Sequence, residues 1–220
     1  MLIDIVRRGS SATPFSGLFY ITFSSVNYGT STVANTTFSS VALGTPHTNR
    51  RIVVVVHLFS NSADRTVGGV IVAGVSASAV IVPTTSSLAN VGIFLADVPT
   101  GTIGNIEILV SGGAYDSVGI GVYSLVTANA TAVATAQNQT NNTGTKSVTL
   151  NTANNGVVIA GSQSVNGSSS TWTNAIGLYS TDMRSGEWAN GAVVDRSNGS
   201  SLTVTSTSAR SLAAASWQIT

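Results

Sequence analysis

Cysteine is absent from this 220-residue chain, and both charge and aromatic residues are scarce. Without cysteine there can be no disulfide framework, no thiol nucleophile and no zinc–thiolate site. Only 8% of positions are charged, 9 basic and 8 acidic, where a soluble domain carries about 25%. The single lysine, Lys146, and eight scattered arginines cannot replace the condensed counterions of a nucleic acid, so no nucleic-acid partner is expected. Long apolar runs are also missing. The best membrane-span candidate, Thr66 to Val82, stops at Pro83 and carries three glycines and two serines. It reads as two strands, and no membrane association is expected. The opening Met1-Leu2-Ile3-Asp4-Ile5-Val6-Arg7-Arg8 does not read as a secretory signal, because an acid interrupts its apolar stretch and the basic pair follows it.

Hydroxyls and amides supply the polarity instead: 32 Ser, 28 Thr and 17 Asn, with 22 Gly. Apolar residues make up 43% and mean hydropathy is +0.33, too hydrophobic for a disordered chain. A chain of this size can bury roughly 70% of its unfolded surface and needs no staple.

Strand periodicity runs throughout. Val148 and Leu150 alternate with Ser147 and Thr149, and Leu202 and Val204 with Thr203 and Thr205, the in–out pattern of a strand with one wet face. Ile52-Val53-Val54-Val55-Val56 is apolar on both sides. It is expected to be a central strand covered on each face, or to have a core on one face and an interface on the other. Asn-Gly pairs at Asn155-Gly156, Asn166-Gly167, Asn190-Gly191 and Asn198-Gly199 signal tight turns, the last as the hairpin between 192–195 and 201–206. Gly68-Gly69 and Gly112-Gly113 read as bulges or turns. About a dozen short strands separated by turn signals predict an all-β fold, an antiparallel β-sandwich of jelly-roll type.

A weak internal echo relates residues 33–127 to residues 146–220. Phe38 to Phe59 reads strand, turn, apolar strand, as does Ser147 to Gln163. Ile106–Leu125 corresponds to Leu202–Ile219. The uncharged stretch Thr127 to Thr145 reads as a linker or an inter-sheet crossing. Two arrangements fit, two sandwiches in tandem or two related halves completing one. The scarcity of bulky core residues in the second half favours one unit over 18–220. Residues 1–17 stand apart as an N-terminal arm, whose Leu2, Ile3, Ile5 and Val6 are candidate assembly contacts that would add a strand to a neighbouring sheet edge.

Chemistry is hard to find. His57 lies in an apolar strand and reads as a buried structural residue, while His47 sits in a polar turn. No nucleophile elbow, phosphate loop or metal-binding helix motif occurs. The eight carboxylates show no paired spacing. Asp195-Arg196-Ser197-Asn198-Gly199 has too few carboxylates for a calcium cage. Neither catalysis nor a cofactor is expected. Of the three tryptophans, Trp217 is in phase with a core face. Trp172 and Trp188, set among Ser, Thr, Asn and Gly, are candidate glycan-stacking contacts.

The texture of the chain, with Val98-Pro99-Thr100-Gly101-Thr102 before a Val/Ile strand and the ending Leu212-Ala213-Ala214-Ala215-Ser216-Trp217, resembles virion β-sandwich proteins of tailed bacteriophages and gene-transfer agents. These are capsid decoration proteins, head fibres and tail-associated modules. The resemblance extends from about residue 33 to the end. It implies a virion location after cytoplasmic synthesis, other virion proteins (capsid or tail subunits) as partners, and a homo-oligomer such as a trimer. It also implies a host glycan as the alternative partner of a fibre module. Charge poverty points the same way, because neutral faces pack against copies without desolvating ions.

Overall fold

Residues 50–59 form the strand about which the molecule is arranged. The computed structural model describes residues 18–27, 35–60, 65–82, 88–113, 115–127, 129–165 and 169–219. Strand β3 (Arg50–Phe59) is bonded on one side to β9 (Ser117–Val126) and on the other to β7 (Ala89–Asp97). Alternation sends Ile52, Val54, Val56 and Leu58 into one apolar core, and Val53 and Val55 into a second. The two-sided apolar run is therefore covered on both faces, each β-branched side chain filling a pleat.

Strands β1 (Leu18–Asn27) and β6 (Ser78–Ile81) complete this sheet in the order β1-β9-β3-β7-β6. Against one face lies a second sheet, β2-β8-β4-β5, built from β2 (Asn35–Ala42), β4 (Thr66–Val72), β5 (Val75–Ser76) and β8 (Ile103–Ser111). All pairings are antiparallel. The chain passes from sheet to sheet so that β1 and β9, β2 and β8, and β3 and β7 become neighbours. This is the double Greek key of a jelly roll, completed within residues 18–126. The bulge expected at Gly68-Gly69 is present, since the β4 register shifts between Val67 and Gly69. Gly112 and Gly113 turn with positive φ between β8 and β9.

The second half repeats the same order. Its strands are β10 (Ala134–Asn151), β11 (Asn154–Gln163), β12 (Trp172–Thr173), β13 (Ile176–Arg184), β14 (Glu187–Asn198) and β15 (Ser201–Gln218). Residues 134–139 pair with 211–216 as β1 pairs with β9, and 146–151 pair with 201–206 as β2 pairs with β8. Strand β11 lies between β15 and β14 as β3 lies between β9 and β7. Strand β13 follows β14 as β6 follows β7, and β12 joins β15 as β4 joins β8. The two long strands bend. Ser162, whose ladder partner is Leu212, also bonds Ser206 at 2.7 Å. Ser216 reaches the Asn151 carbonyl at 3.3 Å, so the 146–151/201–206 ribbon folds back over the sheet. It encloses a third core of Val148, Leu150, Val158, Ala160, Val204, Leu212 and Ala214.

Two sandwiches in tandem are thus what the halves form, and the echo in the sequence is a repeat of topology. The second half manages with few bulky residues because it shares a core with the first. Val157, Ile159, Val193, Ala213, Ala215 and Trp217 pack on Val53, Val55, Val91, Ile93, Leu95, Tyr123 and Leu125. Three expectations need correction. Residues 134–145 are the first part of β10, not a linker. Strands β14 and β15 share no ladder, so Asn198-Gly199 carries the chain between layers and closes no hairpin. Asn190-Gly191 lies inside β14, where the missing Cβ makes room for the Tyr179 ring.

Candidate functional site

The chemistry-bearing side chains gather where the two sandwiches meet. His57, on the inner face of β3, is fully buried, and its Nε2 lies 2.8 Å from the Tyr179 hydroxyl of β13. Tyr179 crosses from the second sandwich and stacks on Phe23 of β1, ring centroids 4.6 Å apart. It fits because the facing positions, Gly121 on β9 and Gly191 on β14, carry no Cβ where its ring sits. Burial pulls the His57 imidazole down to about 3, so it stays neutral and acts as a hydrogen-bonding core residue. This agrees with the structural role expected of it. His47 accepts the Asn49 backbone N–H through Nδ1, 3.0 Å away, in an exposed turn.

At one end of the same junction the sequence-scattered carboxylates converge. Asp116 immediately precedes β9 and Ser117 begins it, while Asp182, Arg184 and Glu187 belong to the β13–β14 hairpin. Arg184 Nη1 stands 2.9 Å from Asp116 Oδ1. Asp182 accepts the Arg184 and Gly186 backbone N–H groups at 3.1 Å and shapes the hairpin turn. Glu187 is 6% exposed, and its Oε2 accepts the Ser117 hydroxyl at 3.1 Å. Burial is the main cause that lifts its carboxyl to about 7. The Ser117 bond and Arg184 oppose this, and Asp116 and Asp182 add to it. Among the described residues no three His, Asp or Glu side chains are placed to hold a metal ion.

At another part of the junction lies an open cavity of about 390 Å³. Its lining includes Arg51 and Asp97 at the ends of the paired strands β3 and β7, Ser78 and Ala79 of β6, Thr131 of the crossing to the second sandwich and Thr135 at the start of β10. Arg51 and Asp97 are only loosely paired, Nη2 to Oδ2 3.9 Å.

Arg50 is a different case. It is fully buried and ties two loops together through backbone carbonyls, Nε to Val98 at 2.7 Å, Nη1 to Leu43 at 3.3 Å and Gly44 at 2.9 Å, and Nη2 to Thr100 at 2.6 Å and Gly101 at 2.8 Å. Burial lowers its pKa, and the converging carbonyl dipoles hold the charge in place.

The remaining candidates lie apart. Leu2, Ile3, Ile5 and Val6 fall outside the described residues. Trp217 is fully buried in the shared core, as its phase suggested. Trp172 is half-buried on β12, where it packs on the third core. Trp188, also half-buried, stands opposite Asp182 on β14. The two tryptophans belong to different layers of the second sandwich, and neither ring is freely exposed. The carboxyl cluster, the Tyr179 slot and the cavity were not foreseen. The pair Gly119 and Gly121, alternating along β9, was the available signal for close approach on one face.

Among the described residues few charged side chains are fully exposed. Of the described Asp, Glu, Lys and Arg side chains only Asp97 and Asp182 are exposed, both beside the junction. Arg50, Asp116, Lys146 and Glu187 are buried. On the folded-over ribbon, hydroxyls pair with each other, Ser147 with Thr205 at 2.8 Å and Thr149 with Thr203 at 2.7 Å. Among the described residues no helix is long and apolar enough to cross a membrane. Compared with known proteins, the chain matches no family model, and no curated protein is similar enough to count as a relative.

Proposed function

We propose that the chain is a non-enzymatic structural subunit of a phage particle, one that decorates or cements capsid or tail subunits. The observation that carries this reading is the ion-poor exterior of a doubled sandwich. Among the described charged side chains, Arg50, Asp116, Lys146 and Glu187 are buried and only Asp97 and Asp182 are fully exposed. Such an exterior offers little electrostatic resistance to close packing, since few ions must be desolvated. Jelly rolls occur in capsid, lectin and cupin proteins, so the fold is compatible with the proposal without requiring it. A host-glycan role through Trp172 or Trp188 has less support, because both rings are half-buried.

The Leu2–Val6 arm supplies the test. In cells producing particles, the full chain should co-sediment with them. A chain lacking residues 1–9 should remain soluble and folded but lose at least about tenfold in incorporation, as expected when an added strand and its apolar side chains are removed. Equal incorporation of the truncated chain would defeat the arm mechanism, and absence of the full chain from particles would defeat the role itself.

A further inference from the structure

We propose that the tip of the β13–β14 hairpin is a pH-operated latch on the seam between the sandwiches, closed over β9 while Glu187 is neutral and released when that carboxyl ionises. The latch goes beyond the particle role and does not depend on it. Its tip is weakly tethered to its own sheet. Strand β13 has β14 as its one ladder partner among the described residues, and the ladder of β14 to β11 ends at Ala189. One further backbone bond runs from the Ser164 N–H to the Trp188 carbonyl. Beyond it, residues 182–187 are held to one another around the positive-φ turn Ser185-Gly186. Three contacts tie them to the first sandwich. Arg184 stands 2.9 Å from Asp116, and Glu187 accepts from Ser117 at 3.1 Å. Met183, 6% exposed, lies on Gly119, where a Cβ would come within 2.7 Å of its Sδ.

Glu187 is closed in with more acid than base. Asp116 faces it from just before β9, and Asp182 and Arg184 from β13. The guanidinium is already committed to Asp116. Two aspartates against one arginine leave one net negative charge, and an ionised Glu187 makes it two. Strand β3, paired to β9 along this seam, contributes His57 opposite Gly119, neutral through burial and bonded to the Tyr179 hydroxyl of β13. Strands β1 and β11 carry no Asp, Glu, His, Lys or Arg. An ionised Glu187 would thus keep a single hydroxyl donor, and a buried charge so poorly paired is unfavourable. Burial accordingly lifts this carboxyl to about 7. Raising the tip returns the carboxylate to water and breaks only three contacts. A group raised on closure holds the closed form fully below 4.5 and loses its hold as pH rises through about 7. His57 works in the opposite sense, so release on raising the pH does not originate there.

The experiment reads the thioether that the latch covers. The full chain is treated with dilute hydrogen peroxide, and oxidation of Met183 to the sulfoxide is followed by peptide mass spectrometry. Each rate is divided by that of free N-acetylmethionine at the same pH. Between pH 5 and pH 8 the relative rate should rise by at least about tenfold and level off near pH 7. A shift from 4.5 to about 7 sets the upper limit at about 300-fold. Glu187→Gln, which still accepts from Ser117, should keep the slow rate at both pH values. Amides of β3 should stay protected from hydrogen exchange while Met183 oxidises, which separates a lifted tip from unfolding of the chain. Should Glu187→Gln fail to fold, the carbon-13 carboxyl resonance of Glu187 in the wild type takes its place. Its titration midpoint should fall where the oxidation rate levels off. A rate that is flat with pH, or a rise of equal size in Glu187→Gln, would overturn the latch. So would a Glu187 carboxyl that titrates near 4.5, or β3 amides that exchange as fast as Met183 oxidises.

Discussion

Replacing Arg50 by alanine should cost the protein about 4 kcal/mol, near the upper end of single-residue effects. The guanidinium donates five hydrogen bonds to carbonyls at 43, 44, 98, 100 and 101, which belong to the β2–β3 and β7–β8 connections. Alanine would leave buried carbonyls without donors and open a void the size of a long side chain, and each effect is destabilising. Arg50→Lys should recover only part of the loss. One ammonium cannot reach carbonyls that diverge around a planar fork. Urea unfolding checks this through a lower midpoint at unchanged slope. A loss below about 1 kcal/mol for Arg50→Ala would mean that the loops are held by something other than the clamp.

The second large effect is a pH dependence that originates at Glu187. Its folded-state value is about 7 against an ordinary 4.5, so the native state binds a proton more tightly than the unfolded chain does. Its contribution is therefore fully present below pH 4.5 and is lost as pH rises through about 7, a difference of up to about 3 kcal/mol. His57 works in the opposite sense. Its value falls from 6.5 to about 3, so its contribution is present above pH 6.5 and lost as pH falls through about 3. Between 4.5 and 6.5 the two slopes oppose, and the wild-type profile alone would conceal both. Glu187→Gln separates them, because glutamine still accepts from Ser117 but cannot ionise. The variant should match the wild type below pH 4.5 and exceed it by about 2–3 kcal/mol near pH 8. The measurement is urea unfolding at both pH values. A stability difference that does not change with pH would show that the carboxyl is not held protonated by the junction.

The features legible in the sequence were those with a local period. Alternation marked the strands, the run Ile52–Val56 marked a sheet covered on both faces, and the faint match of 38–59 to 147–163 marked a repeat of topology. What stayed hidden depends on contacts between distant segments. Arg50 opens a strand, where arginine usually reaches water, and only the folded loops reveal five carbonyls around it. Tyr179 looks like one aromatic residue among polar neighbours until Gly121, Gly191, Phe23 and His57 surround it. Asp116, Asp182 and Glu187 share no sequence spacing, because β9 and the β13–β14 hairpin meet only through packing of the two sandwiches. Residues 134–139 lack bulky apolar residues, yet they form the start of β10 because the ladder to β15 satisfies their backbone.

If neutral faces hold this chain against its neighbours, association should not depend on screening. Sedimentation velocity of the purified full chain, from about 20 mM to about 1 M salt, spans Debye lengths from roughly 20 Å to 3 Å. The expected result is a homo-oligomer whose proportion grows with protein concentration and is the same or slightly greater at high salt. A monomer at every concentration, or an assembly that dissolves as salt is raised, would contradict the account.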